Sequence, residues 1–169
     1  MLGSWPRLSM RSLQAPSFGH GNLHMSKHKV KVLFLCTGNS CRSQMAEGWA
    51  RHLKGSQIEA YSAGIEKHGL NPNAVKVMKE EGVDISQHWS KHLDELDEID
   101  FDFVITVCSH AHETCPVFPR DAKVIHVGFD DPPRLAREAK TEEEALNHYR
   151  RVCYEIKLFV ESLPEVLTK

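Results

Sequence analysis

Residues Cys36 to Ser43 read Cys-Thr-Gly-Asn-Ser-Cys-Arg-Ser and stand between the run Val30 to Leu35 (VKVLFL) and Gln44 to Lys54, whose spacing is helical. Strand, tight loop and helix in that order place Cys36 at a strand's end and Arg42 in a helix's first turn, with five residues between them. So short a loop faces its backbone N–H groups inward, where they add to the positive end of the helix dipole. The residues Thr37, Gly38, Asn39, Ser40, Cys41, Arg42 and Ser43 thus form a cup for a tetrahedral oxyanion, with the Arg42 fork able to hold two of its oxygens. Cys36 lies at the base as the nucleophile, whose reactive form is the thiolate, and Ser43 is placed to hydrogen-bond its sulfur.

The remaining pattern repeats this alternation. Lys31 to Leu35 is a short buried strand, and Gly55 stops the helix Ser43 to Lys54. Ile58 to Ala63 is the second strand. Asn71 and Pro72 supply a cap and a first-turn proline for a second helix that Gly82 ends. Phe101 to Val107 is a third, near-continuously apolar strand, Ser109 to Thr114 a short helical turn, Val124 to Val127 the fourth strand, and Thr141 to Ser162 a long final helix. Strands alternating with helices predict an α/β fold, a four-stranded parallel sheet in a doubly wound three-layer sandwich with ligands at the strands' carboxyl ends. Cys36, Cys108 and the pair Asp130-Asp131 all follow strands on that edge.

A chain of 169 residues suits one domain, here residues 30–169. Residues 1–29 have no hydrophobic period and read as a disordered extension: a leader ahead of a start at Met25, or an organelle transit peptide. The net charge of −2 conceals an asymmetry. No acid precedes Glu47, and the residues after position 46 hold 15 basic against 23 acidic side chains. An acidic body argues against nucleic acid as a partner. No apolar run reaches the roughly 20 residues that span a bilayer. Five cysteines without a secretory segment point to the reducing cytoplasm and to thiols used chemically.

Cys36-x5-Arg42-Ser43 resembles the signature of the low-molecular-weight protein tyrosine phosphatase superfamily. The longer string CTGNSCRSQMAEGWA (Cys36 to Ala50) is similar to its thioredoxin-coupled arsenate reductase branch. So are YSAGIEKHGLNPNAVKVMKEEGVDIS (Tyr61 to Ser86), the pair Cys108 and Cys115, and GFDDP (Gly128 to Pro132). The resemblance implies that arsenate is reduced to arsenite by a three-cysteine relay, in the service of arsenic detoxification. Cys36 attacks arsenic, Cys108 attacks Cys36 and releases arsenite, and Cys115 leaves a Cys108–Cys115 disulfide for external thioredoxin. A glutathione–glutaredoxin system is the alternative donor. No tightly bound cofactor is implied, and a monomer is expected.

Asp131 stands before Pro132 as the phosphatase general acid does, and is preferred over Asp130. The alternative is a phosphatase on phosphotyrosine or small aryl phosphates, which leaves Cys108 and Cys115 without a task. It also lacks its usual aromatic after the proline, since Pro133 and Arg134 follow. A weak phosphatase side activity fits either reading. A non-catalytic oxyanion or redox-sensing module is the third possibility, against which nucleophile, arginine and acid together argue. Some such reductases hold potassium through residues matching Asn39, Glu47 and Ser62. The fourth ligand, an Asp, is replaced by Lys91, whose ammonium can take the cation's place, so no metal is expected. Cys41 reads as loop filler and Cys153 as core packing.

Overall fold

A computed structural model describes residues 28–118 and 121–168. The expected extension over residues 1–29 falls outside them except for His28 and Lys29. Four strands form one parallel sheet: β1 (Val30–Cys36), β2 (Ile58–Gly64), β3 (Phe103–Thr106) and β4 (Lys123–His126), in the order β2-β1-β3-β4. β1 lies between two neighbours, with Phe34 opposite Ser62 on one side and Ile105 on the other. Its side chains from Val32 to Leu35 are all fully buried, as a strand covered on both faces requires. β4, at the edge opposite β2, is mostly exposed and ends at His126, so Val127, expected within it, lies beyond its end.

The chain runs from β1 outward to β2, then crosses back over β1 to β3. That reversal opens a crevice at the carboxyl ends of β1 and β3, where open α/β sheets bind ligands. Helix α1 (Arg42–Lys54) packs on α5 (Glu142–Glu161), against which α2 (Pro72–Glu80) and α4 (Pro132–Ala136) also lie. The short α3 (Ser109–Glu113) instead rests on β1 and β3. Trp49, Met45 and Ala46 of α1 and Val152, Ile156 and Val160 of α5 form the core between these layers.

The end signals expected from the sequence are in place. Asn71 caps α2 by accepting from Asn73 N (2.9 Å) and Ala74 N (3.1 Å), with Pro72 at the first helical position. Gly82 follows that helix at φ 82°, a backbone that costs glycine nothing. Thr141 caps α5 through Glu144 N at 3.1 Å. Besides a final 3-10 turn at Glu165–Thr168, two elements were not expected. One is α4, whose Pro132 and Pro133 look like a turn but occupy the first positions of a helix, where no N–H is needed. The other is a 3-10 turn at Leu93–Leu96, capped by His92 and Glu95. Among the described residues no helix is long and apolar enough to cross a membrane.

Gly64 ends β2 where it passes under the Cys36–Ser43 loop. A Cβ there would strike Glu66 O and lie 2.7 Å from Asn39 N and 2.8 Å from Thr37 O, all backbone atoms that cannot swing aside. Gly64→Ala is therefore expected to cost about 1–3 kcal/mol, the usual penalty of overpacking. Urea unfolding measures it, and an unchanged midpoint would show that the loop can lift away from β2.

Candidate active site

The loop after β1 is built by turning its carbonyls outward. Ile65 N donates to Cys36 O (3.2 Å), Glu66 N to Thr37 O (2.8 Å), His68 N to Gly38 O (3.0 Å) and Asn71 N to Ser40 O (2.9 Å). Asn39 O accepts from Gln44 Nε2 at 3.1 Å, and Cys41 O takes the first helical bond from Met45 N at 2.9 Å. With six successive carbonyls engaged outside, the N–H groups are left facing the interior of the loop, a concavity suited to an anion. Asn39 makes the reversal possible at φ 46°, a region asparagine enters more readily than most residues.

Asn39 is also the hub beneath the loop. It is fully buried, its Nδ2 donates to Ser43 Oγ and Ser62 Oγ, both at 2.9 Å, and its Oδ1 accepts from Lys91 N (2.8 Å) and Gln44 Nε2 (2.9 Å). Because Ser43 Oγ already accepts from Asn39, its own proton is free for Cys36 Sγ, 2.8 Å away. The expected Ser43–Cys36 contact is present, oriented by a residue one layer further in.

Under this hub, Ser62 Oγ donates to Glu47 Oε2, and Lys91 Nζ lies 3.6 Å from that oxygen while donating to Trp89 O at 3.2 Å. Arg51 holds the other Glu47 oxygen at 2.5 Å. Lys91 thus brings an ammonium to Glu47, while its backbone N–H is held by Asn39 Oδ1. Burial draws its pKa below the usual lysine range, with Glu47 opposing. Among the described residues no three His, Cys, Asp or Glu side chains converge as a metal site.

Arg42 NH1 donates to Phe129 O at 2.9 Å, and NH2 pairs with Asp131 Oδ1 at 3.2 Å. The guanidinium is thus oriented before any oxyanion arrives, and Asp131 is brought to the cup. Asp130 pairs instead with the exposed Arg151 at 2.9 Å. The loop residues from Cys36 to Arg42, except Asn39, enclose a cavity of ≈ 350 Å³ together with His68, Asn71, Asp131 and Pro133.

Cys108 sits at the mouth of α3 with its Sγ 3.4 Å from Thr37 Oγ1 and accepting from Ala111 N at 3.4 Å. A second thiol therefore touches the residue next to the nucleophile. Cys115 lies just past the other end of α3, half-buried, its thiol pushed up by burial. The helix between them is one residue shorter than expected, ending at Glu113 with Thr114 as its cap. Thr106 Oγ1 lies 3.3 Å from His112 Nδ1 and 2.9 Å from His126 Nδ1, and the two imidazoles stack at 4.5 Å, which fastens α3 to the sheet edge. Burial pushes the Cys41 thiol far up, with Cys36 adding to it, which suits filler. Cys153 packs 3.4 Å from Met78 Sδ, its thiol pushed up to about 11 by burial, as a core residue.

The sequence reading missed the segment 65–71 that holds the loop's carbonyls, the Thr106–His112–His126 clasp, and His68 and Asn71 at the cavity. The extended spacing Glu66-x-His68 just after a strand was the available signal.

The family model of low molecular weight phosphotyrosine protein phosphatases matches residues 31–169. An arsenate reductase of Bacillus subtilis is 54% identical over 74% of this chain and 88% of its own. One of Halalkalibacterium halodurans is 48% identical over 82% and 97%. A solved arsenate reductase in a phosphate-binding state superposes with a TM-score of 0.62 at 33% identity, covering 79% of this chain and 95% of its own.

Asn39→Ala takes a buried donor from Ser43 and Ser62 and the buried acceptor from Lys91 N at once. The expected loss is about 2–4 kcal/mol of stability, with slower alkylation of Cys36 by iodoacetamide as Ser43 loses its orientation. Unchanged alkylation and an unchanged urea midpoint would mean that the loop is held by its backbone alone.

Proposed function

The chain belongs to the low molecular weight phosphotyrosine protein phosphatase family, and within it we propose an arsenate reductase that works by a thiol relay. The observation that carries this reading is the Thr37 Oγ1–Cys108 Sγ contact, which brings a second sulfur to the rim of the loop holding Cys36. A phosphatase needs one sulfur there. Reduction by two electrons needs a pair that can end as a disulfide.

Arsenate enters the cup, its oxygens taken by the loop N–H groups and by Arg42. The incoming oxyanion competes with Asp131 for the NH2 edge, so the Asp131 carboxylate is released beside the substrate, where it can take the proton of the attacking Cys36 thiol and pass it to the departing oxygen. The Cys36 thiolate forms a bond to arsenic, and one arsenate oxygen leaves as water. Next the Cys108 thiolate attacks Cys36 Sγ; the electron pair of the S–As bond passes to arsenic, which leaves as arsenite with arsenic reduced from +5 to +3. Cys115 then attacks Cys108 and frees Cys36, leaving a Cys108–Cys115 disulfide. An external dithiol protein, thioredoxin, supplies the two electrons that reopen it. Such a cycle suits a reducing cytoplasm and arsenic detoxification. Lys91 supplies the positive charge under the loop.

The phosphatase reading is favoured by the intact Cys36, Arg42 and Asp131 and predicts a side activity on aryl phosphates. Pro133 stands at the cavity where an aromatic wall would be needed, which sets that activity below the reductase reaction.

Cys36→Ser is expected to abolish both arsenite formation and aryl phosphate hydrolysis. Cys108→Ser and Cys115→Ser are expected to stop multiple turnover with thioredoxin, thioredoxin reductase and NADPH, yet to leave aryl phosphate hydrolysis within about threefold of wild type, since they touch no group of that reaction. Parallel loss of both activities in the latter two variants would make those cysteines structural.

Relay closure also demands motion. Cys108 and Cys115 flank the two ends of α3, seven residues apart, roughly 10 Å along a helical axis. A disulfide needs Cα atoms about 4.4–6.8 Å apart. Oxidation is expected to unwind residues 109–114 and break the His112–His126 stack, raising amide exchange there alone. Unchanged exchange with the disulfide confirmed by mass spectrometry would show that the thiols meet without unwinding. Pro116 ends the segment on the side that yields; Pro119 lies outside the described residues.

A further inference from the structure

We propose that His68, oriented by Glu66, is the side chain that makes this site prefer a bare tetrahedral oxyanion to an aryl ester. This rests on the reading of the loop as an arsenate site and names what selects the ligand there.

The position of the pair is set by backbone bonds. Glu66 N and His68 N hold the carbonyls of Thr37 and Gly38, so the segment is laid along the loop in fixed register. Residues two apart in an extended segment point to one side. Accordingly His68 Nε2 and Glu66 Oε2 meet at 2.6 Å. With Nε2 committed to the carboxylate, Nδ1 is the ring nitrogen left at the loop. It lies against Gly38: a Cβ on that residue would collide with Nδ1 and with the ring, and would sit 2.8 Å from His68 Cβ. The missing side chain at Gly38 is what admits the imidazole.

His68 lines the same cavity as Cys36, Arg42 and Asp131, and among the described lining residues it is the one besides Arg42 able to carry positive charge. Arg42 is already matched by Asp131, and the attacking thiolate adds a second negative charge. His68 is matched in the same way by Glu66, so what it offers a tetrahedral anion is a local polar ring edge beside the loop and not unpaired charge. Neutral arsenite is drawn less to that edge and is free to leave. His68 is half-exposed, so its polar edge can reach an outer oxygen of the anion but offers little apolar surface to a phenyl ring. Its pairing with Glu66 is exposed and worth little to stability, which separates a binding role from a packing one.

The test measures inorganic phosphate binding to the full reduced chain by calorimetry, beside steady-state hydrolysis of p-nitrophenyl phosphate. His68→Ala is expected to weaken phosphate about tenfold, the worth of one hydrogen bond to a charged group. His68→Gln, which keeps a donor and nearly the same volume, is expected to recover part of that loss. His68→Phe is expected to weaken phosphate as Ala does while lowering KM for the aryl ester. Phosphate affinity within twofold of wild type in both Ala and Gln variants overturns the proposal. So do a parallel fall in phosphate and ester affinity, and a wild-type chain that binds no phosphate. If instead phosphate binding depends on His68 but the wild-type chain forms no arsenite, the selection stands and the arsenate reading falls.

Discussion

Six consecutive carbonyl oxygens, from Cys36 to Cys41, are each held from outside the loop, four of them by the backbone of residues 65–71. Everything else at the site depends on that constraint. Buried carbonyls left free would be costly, and carbonyls turned inward would repel an anion. By engaging them on the outer side, the segment after β2 obliges the N–H groups to face the space above Cys36. The same segment requires Gly64, because β2 and the loop approach too closely for any side chain there. Parallel pairing of β1 with β2 supplies the register, Cys36 opposite Gly64, that brings the two segments together.

A second consequence concerns division of labour between rigid and yielding parts. The nucleophile stands on the central strand, its sulfur held by Ser43, which is held by Asn39, which is tied to Ser62 and Lys91. All of these residues are buried, and none of them can move without leaving a polar group unpaired. Cys108 and Cys115 are placed differently. They flank a helix of five residues attached to the sheet by one hydroxyl and a pair of stacked imidazoles. Such an element has little cooperative stability of its own. In the proposed relay the sulfur that would meet the oxyanion is the firmly held one, and the two that would carry the oxidation away flank the short helix.

Charge is arranged in the same economical way. Arg42 is pre-aligned by Phe129 O and Asp131, so its fork loses little freedom when an anion replaces the carboxylate. Beneath the loop, Lys91 and Arg51 share Glu47, which keeps a buried carboxylate compensated. Asp130, one residue from Asp131, is drawn away by Arg151.

The sequence by itself determined the parallel α/β sheet and the strand–loop–helix that carries Cys36 and Arg42, because alternation of buried strands with capped helices is a local property that Val30 to Leu35, Asn71-Pro72 and Thr141 each display. It also marked Cys36, Cys108 and the pair Asp130-Asp131 as following strand ends on one sheet edge. The helical nature of Pro132–Ala136 was obscured, since adjacent prolines signal a turn unless the rest of the fold supplies the packing that lets them start a helix. Only the tertiary structure decided which acid faces Arg42, which hydroxyl meets Cys108, and that residues 65–71 close the loop from outside. Those are contacts across long stretches of chain: Thr37 with Cys108, Arg42 with Asp131, Asn39 with Lys91. Sequence spacing carries no distance for such pairs. They are fixed only when the strand order β2-β1-β3-β4 brings four separate loops to one edge of the sheet.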